Sequence, residues 1–187
     1  LLALQETLSS LSAIETLTLD RAYCANISDK GLGYITSGAS SLILLKSLHL
    51  NLNSVPNITG EGFSQLSQNL QKLDGLETMS IDFSANQNIN DESLVHISQV
   101  IKRQRGLSRL ALSFEGCAKV SDQAVKAIVE SIEGSEHLEK LKLSFGECSS
   151  LTNQGIKYIE GYLTRSRGLR HVELNFNDCP GVSAEQL

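Results

Sequence analysis

The sequence predicts an α/β solenoid: a curved horseshoe of 31-residue repeats, with a parallel β-sheet on its concave face and α-helices on its convex face. Three series of residues predict it. Leu17, Leu48, Met79, Leu110, Leu141 and Val172 stand 31 residues apart. So do Leu19, Leu50, Ile81, Leu112, Leu143 and Leu174, and so do Ile27, Ile58, Ile89, Val120, Leu151 and Val182. A fixed period of this size is the mark of one supersecondary unit stacked on its copies. A single unit cannot bury its apolar face, so the copies must pack on one another.

Each unit opens with a strand. In the copy Leu138–Leu163, Leu141, Leu143 and Phe145 alternate with Lys140, Lys142 and Ser144. Alternation of period two is a strand with one buried face. The Phe lane runs Arg21, Leu52, Phe83, Phe114, Phe145 and Phe176, apolar in every copy but the first, and is expected to lengthen the strand by two residues. A loop follows, then Ser28, Thr59, Asn90, Ser121, Thr152 and Ser183, all types that accept a hydrogen bond from free helix N–H groups and so form an N-cap lane. Asp29, Asp91 and Asp122 come next and suit the positive end of the helix dipole. Ile156, Ile159 and Leu163 share one helix face by their three- and four-residue spacing. A small lane, Gly31, Gly62, Ser93, Ala124 and Gly155, points to close helix–sheet approach, and Gln186 breaks it in the last copy. A helix takes more room than strands spaced about 4.8 Å apart, so the stack curves with the sheet inside.

The residues that carry this pattern also carry a likeness. The L-x-x-L-x-L core stands as Ile14-x-x-Leu17-x-Leu19 and recurs in five later copies. It is followed by Ile27-Ser28-Asp29, Val120-Ser121-Asp122 and Leu151-Thr152-Asn153. The chain resembles the leucine-rich-repeat superfamily over essentially its whole length, in the long, cysteine-bearing, ribonuclease-inhibitor-like type. One departure is that Cys24, Cys117, Cys148 and Cys179 follow the last strand leucine by five residues, where the usual repeat has Asn or Cys at three. The resemblance implies a non-catalytic module that binds or spaces protein partners within a larger assembly. It also leaves open the substrate-recognition part of an F-box-type ubiquitin-ligase adaptor, or a GTPase-activating array. An upstream F-box-like segment distinguishes the first of these. Loss of stimulated GTP hydrolysis on Arg109→Ala distinguishes the second.

Composition narrows the function classes. A net charge of −5 argues against a dedicated nucleic-acid or anionic-membrane binder, and no apolar run approaches a transmembrane length. Leu1 and Leu187 fall at the same position of the repeat, 186 residues or six periods apart, so residues 1–187 are expected to be one array of about six repeats cut from a longer protein. No cofactor or metal is expected. The four cysteines share one lane with Val55 and Asn86, and lack the C-x-x-C clustering of a zinc site. Stacked neighbours such as Cys117 and Cys148 lie within disulfide reach, but Asn86 in the lane favours buried, free thiols and a cytoplasmic or other reducing compartment. The sequons at Asn26 and Asn57 follow from the repeat's demand for Ile before a Ser or Thr cap. His49, His96, His137 and His171 have no partner at catalytic or metal spacing, and no enzyme is expected. The basic clusters Lys102-Arg103-Gln104-Arg105 and Arg165-Ser166-Arg167 fall at helix C-termini, where cations suit the dipole.

The concave sheet face is the surface expected to bind. Its first lane reads Thr16, Ser47, Thr78, Arg109, Lys140, His171, and its second Thr18, His49, Ser80, Ala111, Lys142, Glu173. The third reads Asp20, Asn51, Asp82, Ser113, Ser144, Asn175. The first three repeats are neutral to acidic and the next three basic, so a protein partner of acidic character is expected over the C-terminal half. The candidate contacts are Asp20, His49, Asp82, Arg109, Lys140, Lys142, His171 and Glu173.

Overall fold

The computed structural model describes residues 1–183. Helix α1, Leu2–Ser9, precedes six strands: β1 Thr16–Asp20, β2 Ser47–Asn51, β3 Thr78–Asp82, β4 Arg109–Ser113, β5 Lys140–Ser144 and β6 His171–Asn175. Between them run α2 Asp29–Ala39, α3 Gly60–Leu70, α4 Asp91–Arg103, α5 Asp122–Ile132 and α6 Asn153–Arg165. The strands form one parallel sheet in sequence order, and every pair is in register at 31 residues, as Leu17↔Leu48 and Leu141↔Val172 illustrate. The units are numbered by their strands. The sheet is the inner layer and the helices the outer one, and the core lies between.

The alternation works as expected. Leu48, Leu50, Met79, Ile81, Leu110, Leu112, Leu141 and Leu143 are all buried, while the residues between them reach solvent. The strands are nonetheless five residues long and stop before the Phe lane, which corrects the expected two-residue extension. Main-chain pairing carries one residue further: the Phe83, Phe114 and Phe145 N–H groups each donate at 2.8 Å to Ser113, Ser144 and Asn175. Their rings stack along the solenoid with Phe176, at centroid spacings of 6.1, 5.9 and 6.2 Å. One turn further on, Cys117, Cys148 and Cys179 donate their thiols to the carbonyls of Phe83, Phe114 and Phe145 in the preceding unit. Asn86 fills the same role with its amide, donating to Leu52 and Phe83 carbonyls at 2.9 and 2.7 Å. All four cysteines are free, and burial pushes the Cys117 and Cys148 thiols up to about 11 and about 12.

The residue two past the Phe lane is left-handed in every unit: Tyr23, Ser54, Ala85, Gly116, Glu147 and Asp178 have φ between 54° and 71°. Only one is glycine. The turn is held from outside, because the N–H groups of Tyr23, Ser54, Ala85, Gly116 and Glu147 each donate to the next unit's carbonyl at 2.7–2.9 Å.

The cap lane holds in four units, where Thr59, Asn90, Ser121 and Thr152 accept helix N–H groups. Ser28 is the exception: its backbone is extended as a cap requires, but its hydroxyl accepts no helix N–H. The aspartates after the caps do more than face a dipole. Asp29 accepts the N–H and hydroxyl of Thr59 in the next unit, both at 2.7 Å. Asp91 does the same for Ser121, at 2.8 and 2.7 Å, and Asp122 for Thr152, at 2.9 and 2.6 Å. Asp122 also accepts the Gly155 N–H at 2.9 Å. Each carboxylate thus clamps one unit's helix start to the next. It also accounts for two glycines of the small lane. A Cβ on Gly62 or Gly155 would meet the preceding aspartate's Oδ1 at 2.3 or 2.7 Å. Where the aspartate lane has Gly60, Asn90 and Ser93 instead close a capping box within their own unit. The break in the small lane at Gln186 lies outside the described residues.

Candidate partner-binding groove

The sheet register brings the concave lanes together as the spacing requires. Thr78, Arg109, Lys140 and His171 are successive partners in one lane, and His49, Ser80, Ala111, Lys142 and Glu173 in the next. Ala111 is the one small side chain among longer ones. A shallow groove of about 300 Å³ opens around it, spanning β2 to β6. Six of the eight expected residues line this groove: His49, Arg109, Lys140, Lys142, His171 and Glu173. Thr78, Ser80 and Ala111, outside the expected contacts, also line it, with Met79, Leu110 and Leu141; the signal for them was the single alanine between Ser80 and Lys142 in lane two.

Asp20 and Asp82 lie elsewhere. Their Oδ1 atoms accept the N–H groups of Ala22 and Ser84, at 3.1 and 2.8 Å, and close the turn at the strand exit. Asn51 and Asn175 repeat the same turn. At the C-terminal strand exits, Glu115 Oε2 accepts from Ser144 Oγ and Asn175 Nδ2, at 3.2 and 3.3 Å.

The charges in the groove are unequally matched. Glu173 takes Lys142 Nζ on one oxygen and His171 Nε2 on the other, both at 2.8 Å. The His171 hydrogen bond, then the Lys142 one, holds the Glu173 carboxyl down at about 2. Arg109 and Lys140 are direct register partners, and neither has a carboxylate partner among the described residues. Neighbouring strands are about 4.8 Å apart, and like charges placed opposite each other are destabilising. The groove therefore holds two adjacent cations that no carboxylate among the described residues pairs with, beside the hydroxyls of Thr78 and Ser80.

Among the described residues no group of three or more His, Cys, Asp or Glu is placed to hold a metal ion. No helix among them is long and apolar enough to cross a membrane.

No family model and no curated protein matches the chain. Solved structures do. Leiomodin-1 actin-binding site 2 matches with a TM-score of 0.62 and 12% identity, over 87% of this chain and 87% of that one. The tropomodulin C-terminal domain of Caenorhabditis elegans matches with a TM-score of 0.53 and 15% identity, over 73% of this chain and 75% of that one. Identities this low show the fold alone, and they do not extend to the ribonuclease-inhibitor-like type. The six parallel strands alternating with six helices have the fold of a leucine-rich-repeat solenoid.

Proposed function

We propose that the chain is a non-catalytic protein-binding module whose groove over β3 to β6 takes an acidic segment of a partner. The observation that carries this reading is the adjacent pair Arg109 and Lys140, neither paired with a carboxylate among the described residues, beside a preformed depression. Two exposed like charges repel each other modestly in water, and an arriving anion relieves that repulsion while gaining two ion pairs. The salt-bridged Lys142–Glu173 pair borders the groove and supplies no net charge to it. A fold shared with a protein segment named for actin binding supports a binding role in general terms; it does not identify a partner.

The test is an NMR titration with a glutamate-rich peptide at low and physiological salt. Shifts are expected at Thr78, Ser80, Ala111 and Lys140, weakening steeply as salt rises. Arg109→Glu combined with Lys140→Glu should abolish them, while Asp29→Asn on the convex side leaves them in place. Shifts that survive the double reversal, or that fall outside these strands, defeat the reading.

A further inference from the structure

A second cavity, sharing no lining residue with the groove, lies at the foot of units 4 and 5. It is a cleft of about 760 Å³ between the turn after α5 and the turn after α6. Its origin is legible in the repeat lanes. Leu11, Leu42, Leu73, Gln104, Ser135 and Ser166 occupy one lane. Leu42, Leu73 and Gln104 are 0%, 4% and 2% exposed and plug the foot of their units. Ser135 and Ser166 replace these larger plugs with hydroxymethyl groups, and the foot stays open. The lane before it reads Arg103, Gly134, Arg165. Gly134 is left-handed at φ 79°, and a Cβ placed there would meet nothing within 4 Å.

The cleft is apolar at its floor and charged at its rim. Ile132 and Tyr162 form the floor, 1% and 5% exposed. Burial raises the Tyr162 phenol. At the rim, Glu133 and Arg165 pair with each other across the two units. Glu136 and Arg167, one repeat apart in a single lane, have no ion-pair partner among the described residues. The last carbonyls of α5 add the negative end of a helix dipole on the Glu136 side.

An apolar floor with two unmatched charges of opposite sign is complementary to one kind of ligand. We propose that the cleft binds an apolar zwitterion: an aromatic or branched aliphatic group bearing both an ammonium and a carboxylate. The side chain lies on Ile132 and Tyr162. The ammonium faces Glu136 and the α5 carbonyls, and the carboxylate faces Arg167 and the Ser135 hydroxyl. Such a ligand comes as a free α-amino acid or as a short peptide, and cavities of this volume accommodate either.

The probes are L-phenylalanine, phenethylamine and 3-phenylpropionate, which share the ring and differ in the charges, with Phe-Gly as the peptide arm. Amide shifts of the protein are followed at each addition. L-Phenylalanine or Phe-Gly should shift Ser135, Ser166 and Gly168, and should bind roughly two- to five-fold more tightly than either single-charge analogue, the range for exposed ion pairs. The tighter of the two identifies the source. Arg167→Gln should erase the advantage over phenethylamine, and Glu136→Gln the advantage over 3-phenylpropionate. Ser135→Leu restores the plug used in earlier units; it should leave the fold intact, with no fall in Tm, and abolish binding. Three results overturn the proposal: no shifts at the cleft with any probe, equal binding of all the probes, or undiminished binding by folded Ser135→Leu protein.

Discussion

Replacing Gly60 by Asp should stabilise the stack, against the usual trend of substitutions. Among the described residues, the seam between units 2 and 3 is the one where no Asp or Asn side chain accepts the next unit's cap N–H. Asp29, Asp91 and Asp122 span the seams 1–2, 3–4 and 4–5, and Asn153 accepts the Ser183 N–H at 3.0 Å across 5–6. Main-chain bridges at the cap level follow the same pattern: Ser28↔Asn57, Asn90↔Lys119, Ser121↔Ser150 and Thr152↔Gly181 flank a gap at the 2–3 seam. There Asn90 N–H has only the Ser93 hydroxyl, at a long 3.4 Å. Gly60 is not left-handed, and a Cβ on it meets nothing within 4 Å, so an aspartate fits. Removing glycine from a helix gains a few tenths of a kcal/mol. A carboxylate in the first turn contributes about 0.3–1 kcal/mol. A charge-assisted bond to Asn90 N–H adds about 1 kcal/mol after the weak Ser93 bond is given up. The sum is about 1–2 kcal/mol, or a Tm rise of roughly 2–8 °C for a chain of this size. Thermal and urea unfolding of wild type, Gly60→Ala and Gly60→Asp measure it, with the alanine variant isolating helix propensity. The aspartate's gain over alanine should shrink as pH falls through the carboxylate range. If Gly60→Asp is no more stable than Gly60→Ala at pH 7, the clamp reasoning is wrong.

Two further outcomes follow from titratable groups. At pH 8 a thiol reagent should label half-buried Cys24 quickly, whereas Cys117 and Cys148, pushed up to about 11 and about 12 by burial, should react only as fast as the protein opens. Mass mapping of a labelling time course checks this, and prompt modification of Cys148 contradicts it. Glu173, held at about 2 by His171 and Lys142, gains its folded-state advantage above the ordinary carboxylate pKa and loses it as pH falls from there through about 2. Its side-chain carbon resonance should titrate near that value, and should move toward the ordinary range in Lys142→Ala.

The period carried most of the architecture. A lane is a set of residues that meet the same neighbours, so Leu48, Met79 and Leu110 announced their register without any coordinates. The concave groove was legible for the same reason, because Arg109, Lys140 and His171 must sit side by side once the strands do. Asp20 and Asp82 show where that logic stops: lane position fixes which side chains line up, not whether an oxygen is already spent on a turn. The clamp was readable in principle, since Gly60 in the aspartate lane coincides with an Asn90-x-x-Ser93 box found in no other unit. A lane shows only like positions, whereas the clamp joins one lane's aspartate to a different lane's cap in the next unit. The left-handed turn was not readable at all. Tyr, Ser, Ala, Gly, Glu and Asp share no local preference for positive φ. The conformation comes from main-chain bonds to the adjacent unit, which leave no trace in residue type.

That turn has a consequence for how such a protein can change. A non-glycine residue in the left-handed region costs about 1–2 kcal/mol, and at Tyr23, Ser54, Ala85 and Glu147 a main-chain bond to the next unit offsets that cost. Once the backbone is dictated from outside, the side chain on it is free to be anything. Tyr23 stands 79% exposed at this position, and Glu147 and Asp178 occupy it at the other end. The edge of the sheet is thus a row of evenly spaced display sites whose chemistry can vary without disturbing the scaffold. New specificities can arise along it by single substitutions that the fold does not register.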